Sequence, residues 1–422
     1  MDRRTFNTAL AGAAATSLLG CATETRSSDG GRIALYQSVG ARLQHFEVDV
    51  DGAKLTPRAA IELPSNVQYA WQHPSRQFLY VSTSDSASGN TTVPGKVHRL
   101  CAVRVGANGE LQIHGEPQAL STRPIHNSVD ATGSYVLTAY NNPSGITVHR
   151  INPDGTVGSL VEQTARLDTG IFAHQALTTP LNRAVTLVTR GNDAERGKPE
   201  DPGAIKVFKF KDGVLSPNAS IAVGGKGGLG YGPRHLDFHP GQPWAYVSVE
   251  RQNQLHMHRM HGDDQDAEPA YIKSTLGAPH DERILQQAGA IHVHPNGRIV
   301  YVSNRASTTV DFNGTRVFRG GENSIAVFAI DQSSGEPTLI QNIDPRSYHV
   351  RTFSIDPSGQ LLVAASIVDM RVRDGDSMSY VPAALSVFRI GGDGRLDFVR
   401  KYDVELGGKF QWWAGIVRLP AA

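Results

Sequence analysis

The sequence predicts an all-β chain folded as a seven-bladed β-propeller, with strands from the two ends of the chain sharing one blade, and three observations carry the prediction. Six segments repeat one plan of a short apolar strand, a turn and a second apolar strand: "QYAWQHPSRQFLYVSTS", "HNSVDATGSYVLTAYN", "HQALTTPLNRAVTLVTR", "RHLDFHPGQPWAYVSVE", "AIHVHPNGRIVYVSNR" and "RTFSIDPSGQLLVAAS". Each hairpin is followed by an alternating third strand, such as "KVHRLCAVRV", "AIKVFKF" or "ALSVFRI". A turn and a fourth strand usually come next, as in "KDGVLSP" and "GDGRLDF". Four antiparallel strands in about 50 to 60 residues describe a propeller blade. The third observation is that the ends complement each other. "GRIALYQSV" reads as a second strand with no first, and "WAGIVRLP" near the C-terminus as a first strand with no second. Joining them completes a seventh blade and removes the open sheet edge.

Taken in order, the first segment stands apart. Residues 1–20 carry Arg3 and Arg4, an apolar run from Ala9 to Leu19 and then Leu-Leu-Gly-Cys. This is the pattern of an export signal, too short to span a bilayer as a mature helix. The paired arginines resemble the signal of the bacterial route for folded proteins, and "LLGC" resembles a lipobox in which Cys21 is acylated. Residues 21–30 follow as a polar tether, and 31–422 form the propeller. The expected location is periplasmic or on the outer membrane, held there only by lipid.

In the propeller the turn anchors are Pro74, Ala131, Pro180, Pro240, Pro295 and Pro357. With 43 Gly and 23 Pro in 422 residues, tight turns have ample material. A formal net charge of +1 gives no reason to expect a nucleic-acid or anionic-membrane partner. Besides Cys21 the only cysteine is Cys101, in an alternating strand, so no intrachain disulfide and no multi-cysteine zinc site is expected. His256 and His258 are expected to face opposite sides of a blade rather than pair on a metal. Neither a Gly-rich phosphate loop nor a nucleotide fingerprint is present, and no cofactor is expected.

The topology converts spacing into location. The start of a first strand and the end of its antiparallel second strand lie together, opposite the turn. Six residues before the anchors stand Gln68, Ile125, His174, Arg234, Gly289 and Arg351; ten after stand Ser84, Asn141, Arg190, Glu250, Arg305 and Ile367. His174, Arg190, Arg234, Glu250, Arg305 and Arg351 therefore map to one rim of the ring. Long connections after the second strands open on the same side, where binding function usually sits. Taken singly, each arginine reads as a solvated strand-end charge, and His126 and His235 as packing residues. Convergence on one rim is what makes a site, since like charges there need an anion or Glu250 between them.

With these residues in place, the sequence resembles the seven-bladed propeller lactonase family, which includes propeller-type 6-phosphogluconolactonases and the fungal carboxy-cis,cis-muconate lactonising enzyme. The resemblance spans the mature chain and is most specific in "GPRHLDFHP", "AIHVHPNGRIVYVSNR" and "VRTFSIDPSGQLLVAAS". It implies His174, Arg234, Arg305 and Glu250 as the active-site set. After His174 the second strand ends in Thr-Arg-Gly where the family's usual run is Asp-Leu-Gly. Arg190, Arg351, His235 and Asn304 are assigned to substrate binding.

These residue types fit lactone opening. Glu250 accepts a proton from the attacking water. An arginine or His174 stabilises the oxyanion, an effect worth roughly 3 to 4 kcal/mol per donor. The remaining arginines hold a carboxylate or phosphate by forked hydrogen bonds. The expected function is hydrolysis of a sugar-acid or other anionic lactone. A muconate-type cycloisomerase, acting on a diacid in the reverse sense, is the first alternative, and a non-catalytic periplasmic binding or assembly propeller the second. A rim so rich in cations, with one clear carboxylate, is a poor Ca²⁺ site.

Overall fold

The computed structural model describes residues 32–86, 95–279 and 281–421; the export signal, Cys21 and the tether lie outside them. Among the described residues seven four- or five-stranded antiparallel sheets stand around a central channel, with two further two-stranded ribbons, Thr309–Phe312 with Thr315–Phe318 and Met370–Asp374 with Ser377–Val381. Blade 1 comprises Asn66–Gln72, Phe78–Ser84, His98–Val105 and Leu111–Ala119, and blade 2 Pro124–Val129, Tyr135–Asn141, Ser144–Ile151 and Val157–Leu160. Blade 3 comprises Ala173–Thr178, Ala184–Thr189, Ala204–Lys211 and Val214–Ile221. Blade 4 has Pro233–Phe238, Trp244–Val249, Gln254–His261 and Tyr271–Ser274, with the two-residue strand Asp264–Gln265 beside the third. Blade 5 comprises Gln287–Val293, Ile299–Arg305, Ser324–Ile330 and Pro337–Ile343, and blade 6 Tyr348–Ile355, Leu361–Val368, Ala383–Ile390 and Leu396–Val404. In blade 7, Ala414–Arg418 pairs with Ile33–Val39, followed by Arg42–Asp49 and Lys54–Glu62. Ala34 faces Val417 and Tyr36 faces Gly415, so the ends of the chain close the ring as the sequence predicts. Among the described residues there is no helix, and hence none long and apolar enough to cross a membrane.

The core lies between blades rather than inside them. A blade has two apolar faces, as the fully buried second strand Trp244–Val249 illustrates, and each face must be covered by a neighbour. The described residues form one buried apolar cluster for each pair of adjacent blades, from Tyr36, Leu79 and Trp413 between blades 7 and 1 to Leu35, Val363 and Leu385 between blades 6 and 7. Two polar latches recur across these contacts. Tyr80, Tyr246 and Tyr301, each six residues after an anchor, donate their hydroxyls to Gly155, Gly335 and Gly394 carbonyls 2.8 Å away on the next blade. His73, His239 and His294, each just before an anchor proline, set Nε2 2.9, 2.7 and 2.9 Å from the carbonyls of Gly133, Gly297 and Gly359. The repeated His-Pro of the sequence is therefore an interblade clasp. Gly297 has φ +70°, and a Cβ there would stand 2.5 Å from the His239 ring, so the clasp requires glycine.

Two expectations meet the structure differently. Cys101 is a free, buried strand residue, and burial pushes its thiol up to about 12. His256 and His258 do not face opposite sides. Two residues apart on a strand, they share a face, with ring centroids 6.3 Å apart and both side chains buried. Even so, no group of side chains able to hold a metal occurs among the described residues.

Candidate active site

The first strands do more than run alongside the second. In blade 4 the register jumps from Pro233↔Val249 to His235↔Ser248, leaving Arg234 unpaired. The same bulge isolates Gln68, Ile125, His174 and Arg351 in blades 1, 2, 3 and 6, while blade 5 skips Gly289 and Ala290. A β-bulge re-aims the residue it frees. Every position six residues before an anchor is thus taken out of the ladder and made available to the channel.

Glu250 is the hub. It leaves the end of its strand with its amide bonded to Gly232 O at 2.8 Å, and it is 2% exposed. Its Oε1 accepts from Arg190 Nη1 at 2.9 Å and from Gln287 Nε2 at 3.0 Å. Oε2 accepts from Arg305 Nη2 and has Arg234 Nε 2.8 Å away, a close ion contact whose N–H is not aligned for a hydrogen bond. Three hydrogen-bond donors and a fourth group in ion contact surround a carboxylate that has about four lone-pair sites. Burial alone raises the Glu250 carboxyl, but Arg305, Arg190 and Arg234 overcome it and bring the pKa down to about 2.

Around this hub a cavity of about 150 Å³ is lined by Arg123, Ile125, Asn141, Phe172, His174, Arg190, Glu250, Gln287, Arg305, Arg351 and Trp412. Arg190 stacks on Phe172, with Cζ 4.1 Å from the ring centre. Arg351 and Arg123 approach the Trp412 ring at 4.5 and 5.5 Å. Arg123 Nε donates to Gln68 Oε1 at 2.9 Å. Arg305 Nη1 donates to His349 Nε2 at 3.1 Å, and His349 Nδ1 lies 2.8 Å from Ser307 Oγ. With Arg234, which touches Glu250 without lining the cavity, five guanidinium groups gather at the site, three of them in ion contact with one carboxylate. The histidines do not add to this charge. Burial first, then Arg234 and the other cations, holds His174 and His235 well below their ordinary value, and the same two causes, with Arg305 foremost among the cations, depress His349.

His174, Arg190, Arg234, Glu250, Arg305 and Arg351 are all brought to this cluster. His235 lies in the layer below, its Nε2 3.1 Å from His174 Nδ1. Asn304 is not brought in. It precedes Arg305 on the second strand, so its side chain leaves by the opposite face, where Nδ2 donates to Thr275 O at 2.7 Å and Ser324 Oγ at 3.0 Å. Arg123, Phe172, Gln287, His349 and Trp412 were missed, yet they share one signal. The first four stand two residues before a rim position already counted, eight before the anchors of blades 2, 3, 5 and 6, and Trp412 stands two residues before Ala414, which opens the first strand of blade 7, so each recurs at the same point of its blade.

Larger clefts of about 440 and 460 Å³ lie elsewhere, the first beside Phe318, Arg346 and Tyr348, the second beside Arg42, Glu62 and Lys409. Neither gathers buried charge. The channel cavity does, which makes it the candidate site.

The matched family described as "Lactonase, 7-bladed beta-propeller" covers residues 25–372. This chain belongs to that propeller lactonase family. Among curated relatives, it is 27% identical over 374 residues to a 6-phosphogluconolactonase of Bacillus subtilis, covering 85% of this chain and 95% of that protein. A 6-phosphogluconolactonase of Cronobacter sakazakii is 28% identical over 313 residues, covering 74% and 80%. Among solved structures, the periplasmic gluconolactonase of Pseudomonas aeruginosa superposes with a TM-score of 0.65 at 18% identity, over 92% of this chain and 99% of that one, which extends the fold but not the reaction. The family match ends at residue 372, so Trp412 and the closing strand of this propeller lactonase lie beyond it.

Proposed function

We propose that the protein hydrolyses a lactone bearing a phosphate or carboxylate substituent, by water attack at the rim cavity. The observation that carries the reading is the excess of five arginines, four of them buried, over the single carboxylate Glu250 at one small cavity. Buried cations without partners are costly, so a site of this kind favours an anionic ligand and a transition state that develops negative charge. The activity printed for the curated relatives, 6-phosphogluconolactonase, is of this chemical type.

Two roles follow for Glu250. At rest it is held by three hydrogen-bond donors and the Arg234 charge, and a carboxyl held at about 2 is a weak base. Arg190, the most exposed of the three arginines in ion contact with it, with 17% of its side chain accessible, is the donor free to turn to an arriving anion. Its departure frees a site on Oε1 and removes one cause of the low pKa, so substrate binding itself makes Glu250 a better base. Glu250 then takes a proton from water as the oxygen adds to the lactone carbonyl. Arg305 and His174 stabilise the oxyanion, while Arg351 holds the anionic substituent of the substrate. The ring C–O bond breaks with the same proton passing to the leaving alkoxide, and the product is the hydroxy acid.

We also infer export and acylation at Cys21, on the strength of Arg3, Arg4 and the "LLGC" run. Outside the cytoplasm a carboxylate-bearing lactone is a more accessible substrate than a phosphorylated one. The test is a proton-release assay on phosphorylated and carboxylated lactones with wild type and Glu250→Gln. Turnover by wild type and its loss in the variant is the expected result; equal rates in both would remove Glu250 from the chemistry.

A further inference from the structure

His174 sits on the cavity wall with its Nδ1 turned inward to His235, and the contact continues one residue further. His235 Nδ1 lies 3.4 Å from Arg234 Nη1, and His235 Nε2 lies 3.1 Å from His174 Nδ1. A neutral imidazole has one donor nitrogen and one acceptor, whereas a guanidinium can only donate. Those two rules orient the chain. Arg234 is held in place by Glu250, 2.8 Å from its Nε, so its Nη1–H is presented to His235 Nδ1. The contact is long for a hydrogen bond, but the reverse arrangement would set an N–H against an N–H, which is worse. His235 Nδ1 must therefore be bare and Nε2 protonated. His235 then donates to His174 Nδ1, and the proton of His174 is left on Nε2. Because Nδ1 faces inward and His174 lines the cavity, Nε2 is the edge turned toward the ligand. Both rings are buried, at 5% and 4% exposure, and surrounded by cations, so neither gains a second proton at neutral pH. His126, the remaining imidazole against His235, meets it edge to face with ring centroids 5.8 Å apart, and neither of its own nitrogens has a hydrogen-bond partner.

We propose that His235 is a positioning residue: through the Arg234–His235–His174 relay it fixes His174 as the Nε2–H tautomer, which makes His174 a hydrogen-bond donor to the lactone carbonyl and denies it the role of general base. This assignment of roles rests on the lactonase reading; the tautomer does not. It joins the two halves of the opening hairpin of blade 4. Glu250 anchors Arg234, Arg234 sets His235, and His235 sets the donor on blade 3.

The test has a spectroscopic arm and a kinetic arm. Histidine-selective ¹⁵N labelling of the full chain, with His174 assigned by comparison with His174→Gln, reads the tautomer without substrate. The expected result is a proton on Nε2 of His174 and none on Nδ1; a proton on Nδ1 would overturn the proposal whether or not any lactone is hydrolysed. In the kinetic arm, His235→Gln offers an amide oxygen to Arg234 and an amide N–H to His174, reproducing the relay. His235→Leu fills the space and reproduces neither bond. Removing the outer partner that orients a metal-bound imidazole costs on the order of 10- to 100-fold, and a loss of that size is taken for a catalytic donor imidazole here. The leucine variant is expected to lose kcat by that factor with KM nearly unchanged, and the glutamine variant to stay within a few-fold of wild type. Equal rates in the two variants would mean that His235 only fills space. Absence of lactone turnover in wild type would remove the proposed function while leaving the tautomer measurement to stand or fall alone.

Discussion

The two sides of the cavity are built from the same residue and behave differently. On the side of blades 3, 4 and 5, Arg190, Arg234 and Arg305 all lie against Glu250, so their charge is answered within the protein. On the side of blades 2, 6 and 7, Arg123 and Arg351 have an aromatic ring, Trp412, between them and no carboxylate in ion-pair contact among the described residues. Burial, reinforced for Arg351 by Arg305, pulls Arg351 to about 9, and burial alone pulls Arg123 to about 10. Arginine does not give up its proton in response. The cost is expressed instead as demand for an anion from outside. One side is thus complete in the free protein and sets up the chemistry; the other is completed by the ligand and sets its charge.

The contrast can be broken from either side, and the largest effect is expected at the hub. Glu250→Gln leaves Arg190, Arg234 and Arg305 facing one another with no negative charge between them. Loss of a general base costs about 10²- to 10⁴-fold in rate, and breaking a buried ion pair by removing one partner costs about 3 to 5 kcal/mol of stability. Rate and thermal midpoint should therefore fall together. Arg305→Lys comes next. A lysine cannot reach Glu250 and His349 at once as the fork does. Its loss of rate should approach the 10²- to 10³-fold found for a missing oxyanion donor, measured at saturating substrate.

Arg351→Gln, on the uncompensated side, should behave in the opposite way. It removes a charged contact to the ligand worth roughly 1.5 to 3 kcal/mol, or about 10- to 100-fold in KM for an anionic lactone. The change in kcat should be small, and the free protein should be as stable as wild type or more so. A variant that lost kcat and kept KM would place Arg351 with the chemistry instead.

The smallest effects are those of pH, and their directions differ by group. Glu250 titrates at about 2 in the folded chain and near 4.5 when unfolded, so the stability it contributes is complete above pH 4.5 and is lost as pH falls toward 2. His126, His174, His235 and His349 are held below their ordinary value of 6.5 by burial first of all. The unfolded chain takes up their protons below pH 6.5 while the folded one does not, so stability should begin to decline there, well before Glu250 titrates. A thermal midpoint recorded from pH 8 to pH 3 should show the two stages in that order.

The fold was legible because the features that hold it together repeat. The His-Pro before the turns and the tyrosines six residues after the anchors are both interblade latches, and a seven-part ring with complementary ends leaves no other closure. The rim was legible for the same reason, since spacing from a turn fixes height in a hairpin. Side-chain direction was less so. The bulges that free His174, Arg234 and Arg351 leave no mark in composition. Asn304 was drawn into the site by its neighbour Arg305, although alternate residues of a strand leave by opposite faces. His256 and His258 illustrate the same rule from the other direction. Trp412 and Arg123 were visible in register but carried no motif; they became site residues only when the ring brought blades 2, 6 and 7 around one cavity.

The unequal charge of the two sides is tested most directly by proton-release rates of the purified chain on a matched series of lactones: neutral, carboxylated and phosphorylated. The expected result is kcat/KM at least about 10-fold higher for the anion-bearing lactones than for the neutral one, as a charged contact of roughly 1.5 kcal/mol or more requires. Equal rates across the series, or preference for the neutral lactone, would contradict it.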